Sequence, residues 1–125
     1  MILGVGLDLC DKSRIAKAIE SERFVARVYT GRERERIRAA SGRRREEIAA
    51  GLFAAKEAAA KALGTGFLRF GCDAIEIVPY ELSRPVCALH GRALELAGSA
   101  RMHVSITHES GMAAATAILE GESDT

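Results

Sequence analysis

Residues 53–64 read Phe-Ala-Ala-Lys-Glu-Ala-Ala-Ala-Lys-Ala-Leu-Gly, a helix apolar on almost every side that nevertheless carries Glu57 and, one turn on, Lys61. A helix that is polar on one face lies at a surface, whereas one lined by Ala, Leu, Ile and Phe all round is packed on several sides. A fold built on this chain must therefore enclose that helix. At about 100° per residue, Ile48, Leu52, Ala55, Ala59 and Leu63 gather on one side and Phe53, Glu57 and Lys61 on the other. The first set reads as the stripe that meets the core, the second as a face turned toward a cleft or another subunit. A carboxylate there needs a partner: Lys61 is the plain candidate and a metal ion the sharper one, because unpaired buried charge is costly. Gly64 ends the helix as a left-handed cap, and Thr65-Gly66 prolongs a loop whose backbone can approach a ligand closely.

At 125 residues the chain is expected to form one domain, residues 1–125, with a real core and no need of staples. Eighteen basic residues against 17 acidic give no global field to draw in nucleic acid or an anionic membrane. Scarce aromatics and the absence of Trp argue against a platform for stacking single-stranded bases. Cys10, Cys72 and Cys87 have no paired spacing and are odd in number, which points to reduced thiols and an intracellular setting. With no signal-like opening and no apolar run near the ~20 residues of a membrane span, a soluble, cytoplasmic protein is expected.

Residues 2–9, Ile-Leu-Gly-Val-Gly-Leu-Asp-Leu, read as a buried strand that delivers Asp8 at its far end. Asp11 or Ser13 then caps a helix; Phe24, Val25 and Val28 fall out of phase with Ile15, Ala18 and Ile19, which places a break near Ser21. Thr30-Gly-Arg-Glu33 is a capping box ahead of a short charged helix ending near Ser41-Gly42, and the long helix follows. Strands are expected over 73–78, 85–89, 102–107 and 112–119, with a brief helix over 92–98. The last strand is Ala-rich and apolar on both sides, which suits the middle of a sheet covered on both faces. The fold class is α+β: an antiparallel-rich sheet packed against a long buried helix.

Asp8 and Glu57 are carboxylates far apart in the chain, and a hard cation is the simplest thing to unite them. Magnesium suits, because it favours oxygen ligands and is commonly held by one or two carboxylates plus substrate phosphates. Spacing alone leaves the plainer reading open, in which an Asp after a strand caps the next helix.

Two segments taken together, Gly4-Val-Gly-Leu-Asp8-Leu-Cys-Asp-Lys-Ser-Arg14-Ile15 and Phe53 to Gly64, resemble the 4′-phosphopantetheinyl transferases. Chain length, Phe53, and the stretch His103-Val-Ser-Ile-Thr-His108 make the likeness strongest to the short type, the holo-acyl-carrier-protein synthases, over residues 2–119. The resemblance implies that fold and transfer of the phosphopantetheine arm of coenzyme A to a serine of apo acyl carrier protein, as in fatty acid biosynthesis. It implies Mg2+ held by Asp8 and Glu57 on the diphosphate of coenzyme A, with Lys61 on the departing phosphate. Phosphoryl-type transfer asks mainly for positioning and charge neutralisation, so these groups would supply most of the catalysis.

On the same footing, Gly64, Thr65 and Gly66 with Ser105, Thr107 and His108 are expected to hold the nucleotide, with Thr107 standing where the family has a second Ser. Arg44, in the Arg43–Arg45 triplet, is expected to reach the 3′-phosphate. Arg14, Arg23 and Arg27 would offer a cationic surface to an acidic carrier protein. The proton acceptor for the serine stays open among a water on the cation, Glu57, Glu35 and His103; His90 reads as structural. One departure stands out: Leu52 occupies a position where the family has Arg, so a phosphate contact made there is lost. Long relatives hold two such halves in one chain, so this chain is expected to form a homotrimer with sites between subunits. The competing reading is a non-catalytic module that binds coenzyme A or a nucleotide, which would have little need of both Asp8 and Glu57. An RNA-binding module, using the Arg-rich helix, is disfavoured by the neutral charge balance.

Overall fold

The computed structural model describes residues 1–65, 71–79 and 84–122. The chain runs β1 (Ile2–Asp11), α1 (Lys12–Ala18), α2 (Glu22–Val28), α3 (Gly31–Ala39), α4 (Gly42–Ala62), a 3-10 turn at Cys72–Ala74, β2 (Ile75–Pro79), β3 (Pro85–Leu89), α5 (Gly91–Ala97), β4 (Arg101–Glu109) and β5 (Met112–Glu120). Strands β1, β5 and β4 form one antiparallel sheet in that order, and β2 pairs with β3 as a separate hairpin. The expected α+β architecture is present, with α4 packed on β1 and β5.

Local chemistry sets the element boundaries. Asp11 caps α1 by accepting from the Ser13 backbone N–H at 2.8 Å. Ser21 caps α2, so the phase slip after Ile19 is the start of a second helix. Thr30 and Glu33 form the capping box of α3. Leu63 closes α4 and Gly64 follows at φ +85°, a left-handed conformation that Gly adopts without strain. The strand expected from Asp73 begins only at Ile75, because Cys72–Ala74 forms the 3-10 turn.

β1 approaches α4 so closely that no side chain fits between the two backbones. A Cβ at Gly4 would lie 1.9 Å from the Ala62 carbonyl oxygen, and one at Gly6 would lie 1.8 Å from that of Ala58. Alternation then brings Asp8 and Cys10 to the same helix-facing side. The expectation of a fully buried first strand is therefore corrected: Val5, Leu7 and Leu9 are each 64% exposed on the opposite side. The apolar row faces out because glycine is what the helix contact requires. β5 does sit in the middle of its sheet, but only Ala113, Ala115, Ala117 and Leu119 are buried, with Thr116 exposed on the outer face. Its expected cover on both faces is likewise corrected.

The other side of α4 is fixed by a buried ion pair. Lys56 and Glu33 are both fully buried, and Lys56 Nζ lies 2.6 Å from Glu33 Oε1. Lys56 also donates to the Ile75 carbonyl at 2.7 Å, while Glu33 accepts from the Thr30 N–H and the Ile77 N–H, each at 2.8 Å. One pair thus joins the start of α3, the middle of α4 and β2. Removing one partner of such a pair strands a buried charge. Lys56→Met is expected to cost about 3–5 kcal/mol in urea denaturation, with Glu33→Gln in the same chain recovering part of it. A loss below about 1 kcal/mol, the scale of an exposed pair, would mean that the pair does not hold these elements together.

Candidate active site

The close approach of β1 to α4 brings Asp8, near the start of the sequence, together with Glu57 and Lys61 from its middle. Lys61 Nζ donates to Asp8 Oδ1 at 3.1 Å and to the Leu7 carbonyl at 2.9 Å. The plain sequence expectation, that Lys61 neutralises Glu57, is corrected here: the lysine reaches across to the strand because the glycine contact has brought Asp8 within range. Asp8 and Glu57 border one cavity of about 360 Å³, together with Arg14, Ile15, Phe24 and Phe53. The Phe24 and Phe53 rings stack with centroids 6.2 Å apart and form an apolar wall beside the carboxylates.

Among the described residues Glu57 makes no hydrogen bond or ion pair. Burial pushes its carboxyl above the ordinary 4.5, and the charge of Asp8 pushes it further, against a partial offset from Lys61. Two acidic groups are thus held in mutual repulsion at a cleft, an arrangement that a cation would relieve. Among the described residues no third acidic, His or Cys side chain joins them as a ligand cluster. A cation here would complete its shell with water or substrate oxygens, as Mg2+ does, so the donor set fits that ion. Cys10 also borders the cavity, but burial, with Asp8 adding, pushes its thiol up to about 11. It is a packed thiol, with Sγ 3.4 Å from the Ala50 carbonyl it donates to, and no nucleophile at neutral pH.

The remaining predicted residues fall into separate places. Thr65 Oγ1 is buried without a hydrogen-bond partner among the described residues, beside the exposed Gly64; Gly66 lies outside those residues. Arg44 and His108 line a second cavity of about 490 Å³. Gly51 makes room for the His108 ring there, since a Cβ on it would meet His108 Cε1 at 3.2 Å. Burial, Lys12 and Arg44 hold the His108 pKa below its ordinary value, partly offset by Glu47. Ser105 and Thr107 do not join His108: strand alternation turns them to the exposed face of the sheet with His103. His103 Nε2 lies 3.0 Å from Glu120 Oε1, and Glu35 is exposed on α3; neither borders the Asp8 cavity. His90 sits 4.0 Å from Glu76, away from both cavities. Arg14, Arg23 and Arg27 are exposed on α1 and α2, with Arg14 at the rim of the first cavity.

Sequence reasoning missed Lys56 and Arg36. Lys56 was detectable, because on the helix wheel it falls between Leu52 and Ala60 on the inner stripe, where a charge demands a partner.

The comparisons with known proteins identify the family. The sequence profile of the 4′-phosphopantetheinyl transferase superfamily matches residues 4–117. The chain belongs to that superfamily. It is 45% identical over 127 residues to the holo-[acyl-carrier-protein] synthase of Solidesulfovibrio magneticus, covering 97% of this chain and 100% of that one. It is 44% identical over 124 residues to the Clostridium novyi holo-[acyl-carrier-protein] synthase, covering 96% and 88% respectively. The crystal structure of the Bacillus anthracis holo-(acyl-carrier-protein) synthase in complex with CoA (3′,5′-ADP) superposes with a TM-score of 0.81. It is 32% identical and covers 98% of this chain and 99% of that one.

Strain at Glu57 has a measurable sign. Its folded pKa is raised, so the folded state binds the proton more readily than the unfolded chain. Stability therefore falls as pH rises from 4.5 through the raised value, and the penalty is fully present above that value. Glu57→Gln is expected to melt above the parent at pH 7, with the difference closing as pH falls below 4.5. A lower melting temperature for the variant at pH 7 would show that Glu57 stabilises the fold instead.

Proposed function

We propose that this chain transfers the 4′-phosphopantetheine arm of coenzyme A to a serine of an apo acyl carrier protein, releasing adenosine 3′,5′-bisphosphate. The observation that carries the reading is Asp8 and Glu57 on one cavity wall, in a chain 45% identical to a holo-[acyl-carrier-protein] synthase. Asp8 and Glu57 would hold Mg2+, which when bound neutralises charge on the diphosphate.

The chain's own residues supply the rest. Lys61 is 52% exposed at its side chain while anchored to Asp8 and the Leu7 carbonyl, which leaves one N–H for the phosphate that departs. Glu57 is the proton acceptor that the cavity offers the serine hydroxyl, directly or through one water. The Phe24 and Phe53 wall excludes water from one side of the reacting phosphorus. Thr65 Oγ1 gains a partner when a phosphate oxygen arrives, and the left-handed Gly64 beside it lets backbone approach the nucleotide. Arg14 at the cavity rim, with Arg23 and Arg27 exposed on α2, would offer a cationic landing surface to an acidic carrier, raising its association rate.

A second copy supports the site. At about 100° per residue, Arg44, Gly51 and Leu52 lie roughly 120–140° around α4 from Glu57, so the two cavities open on different faces of one helix. One coenzyme A molecule touching both kinds of cavity does so most simply across two chains. The sheet face carrying Val5, Leu7 and Leu9 is the apolar surface such an assembly would cover, with Ser105 and Thr107 on the same face. The assembly is a homotrimer.

Incubation with apo carrier, coenzyme A and Mg2+ is expected to add the phosphopantetheine mass to the carrier. Glu57→Ala is expected to lower turnover about a hundredfold or more while the fold stands. A full mass shift with Glu57→Ala would sink the assignment of that residue, and none with the parent would sink the reaction. Raising salt in the same assay is expected to raise KM for the carrier. Sedimentation of the parent is expected to give three copies, and an active monomer would contradict the shared site.

A further inference from the structure

The second cavity gathers positive charge from two helices packed on each other. Arg36 from α3 and Arg44 from α4 both line it, with His108 from β4 opposite. Among the described residues neither guanidinium is ion-paired, and the cavity's acidic lining residue, Glu47, has Lys12 at 3.8 Å as its own partner. Arg36 is half-buried, and among the described residues its one hydrogen bond is long, Nη1 donating to the Ile77 carbonyl at 3.5 Å. Within that set most of its five N–H donors are therefore uncommitted. Burial holds the Arg36 pKa below its ordinary value and Arg44 lowers it further, against a partial offset from Glu33.

Like charges held together in a partly dry cavity cost free energy unless an anion joins them. Leu52 lies in the same lining but is buried to 2% exposure and offers only an apolar surface. Position 52 therefore contributes no cation, and the one that does reach the cavity beside Arg44 comes from α3. We infer that Arg36 is a specificity-determining residue of the donor site, its guanidinium joining Arg44 and His108 around a phosphate monoester dianion, the 3′-phosphate of coenzyme A. The inference rests on the transfer reaction proposed above. A planar guanidinium suits this anion, because its fork meets two phosphate oxygens at once.

The test is steady-state transfer to apo carrier protein with coenzyme A and with 3′-dephospho-coenzyme A as donors. Arg36→Met is expected to raise KM for coenzyme A about ten- to hundredfold, the range for a lost charge-assisted contact, with kcat held. KM for the dephospho donor is expected to stay at its parent value, and inorganic phosphate is expected to inhibit the parent more than the variant. A merely structural arginine would move both donors alike, and that result, or an unchanged preference, overturns the inference. Should Arg36→Met fail to fold, Arg36→Lys keeps the charge and loses the fork. It is expected to show an intermediate loss of preference, and a parent-like preference there overturns the inference equally. Absence of transfer by the parent with either donor would instead overturn the reaction itself.

Discussion

Backbone touches backbone where β1 crosses α4, and the geometry of the candidate site follows from that contact. Gly4 and Gly6 permit it, because any side chain would collide with the carbonyls of Ala62 and Ala58. Asp8 comes next on the same side of the strand, one alternation further, and meets Lys61 and Glu57 across the gap that the glycines closed. The contact explains two apparent oddities at once. The apolar residues of β1 point outward, and a lysine on α4 pairs with a strand residue 53 positions away rather than with the glutamate one turn before it.

A helix pressed so tightly against one strand must be held from its other sides as well. Tyr29 donates to the Ala49 carbonyl at 2.8 Å, Cys10 donates to that of Ala50, and the Lys56–Glu33 pair ties the helix to α3 and β2. With α4 fixed, each part of its circumference can carry a different task. Glu57 and Phe53 face the first cavity, Lys56 faces the interior, and Arg44 and Gly51 face the second cavity. Ala dominates the remainder because a small side chain allows close packing on all sides without adding polar groups. Strain is concentrated at the two cavities, as repulsion between Asp8 and Glu57 in one and between Arg36 and Arg44 in the other. In both cases the charged parts of one donor molecule, together with a divalent cation, have the sign that relieves it.

Much of this was legible in the sequence because local signals and global structure agree. The capping box at Thr30 and Glu33, the cap at Ser21 and the glycine at position 64 marked true boundaries, and the wheel separated Phe53, Glu57 and Lys61 from the packed stripe. The failures have physical causes. β1 reads as buried because its outward row is apolar and its inward row is Gly, Gly, Asp and Cys, the reverse of the usual alternation. Glu33 satisfies its helix cap so well that its second partner, Lys56, leaves no trace nearby in the sequence. Ser105, Thr107 and His108 read as one motif, yet period-two alternation sends the hydroxyls and the imidazole to opposite faces of β4. Arg36 lies in the short charged helix after the capping box, where nothing in the sequence sets it apart, and only the packing of α3 on α4 turns it into the second cavity.

Asp8 from the first strand and Glu57 from the middle of the chain are proposed to share one divalent cation. Paramagnetic Mn2+ in place of Mg2+, added with coenzyme A and followed by backbone NMR, tests it most directly, because line broadening falls steeply with distance from the ion. Broadening is expected to be greatest at residues 7–9 and 56–58 together. Broadening confined to one of those segments, or centred elsewhere, would contradict the account.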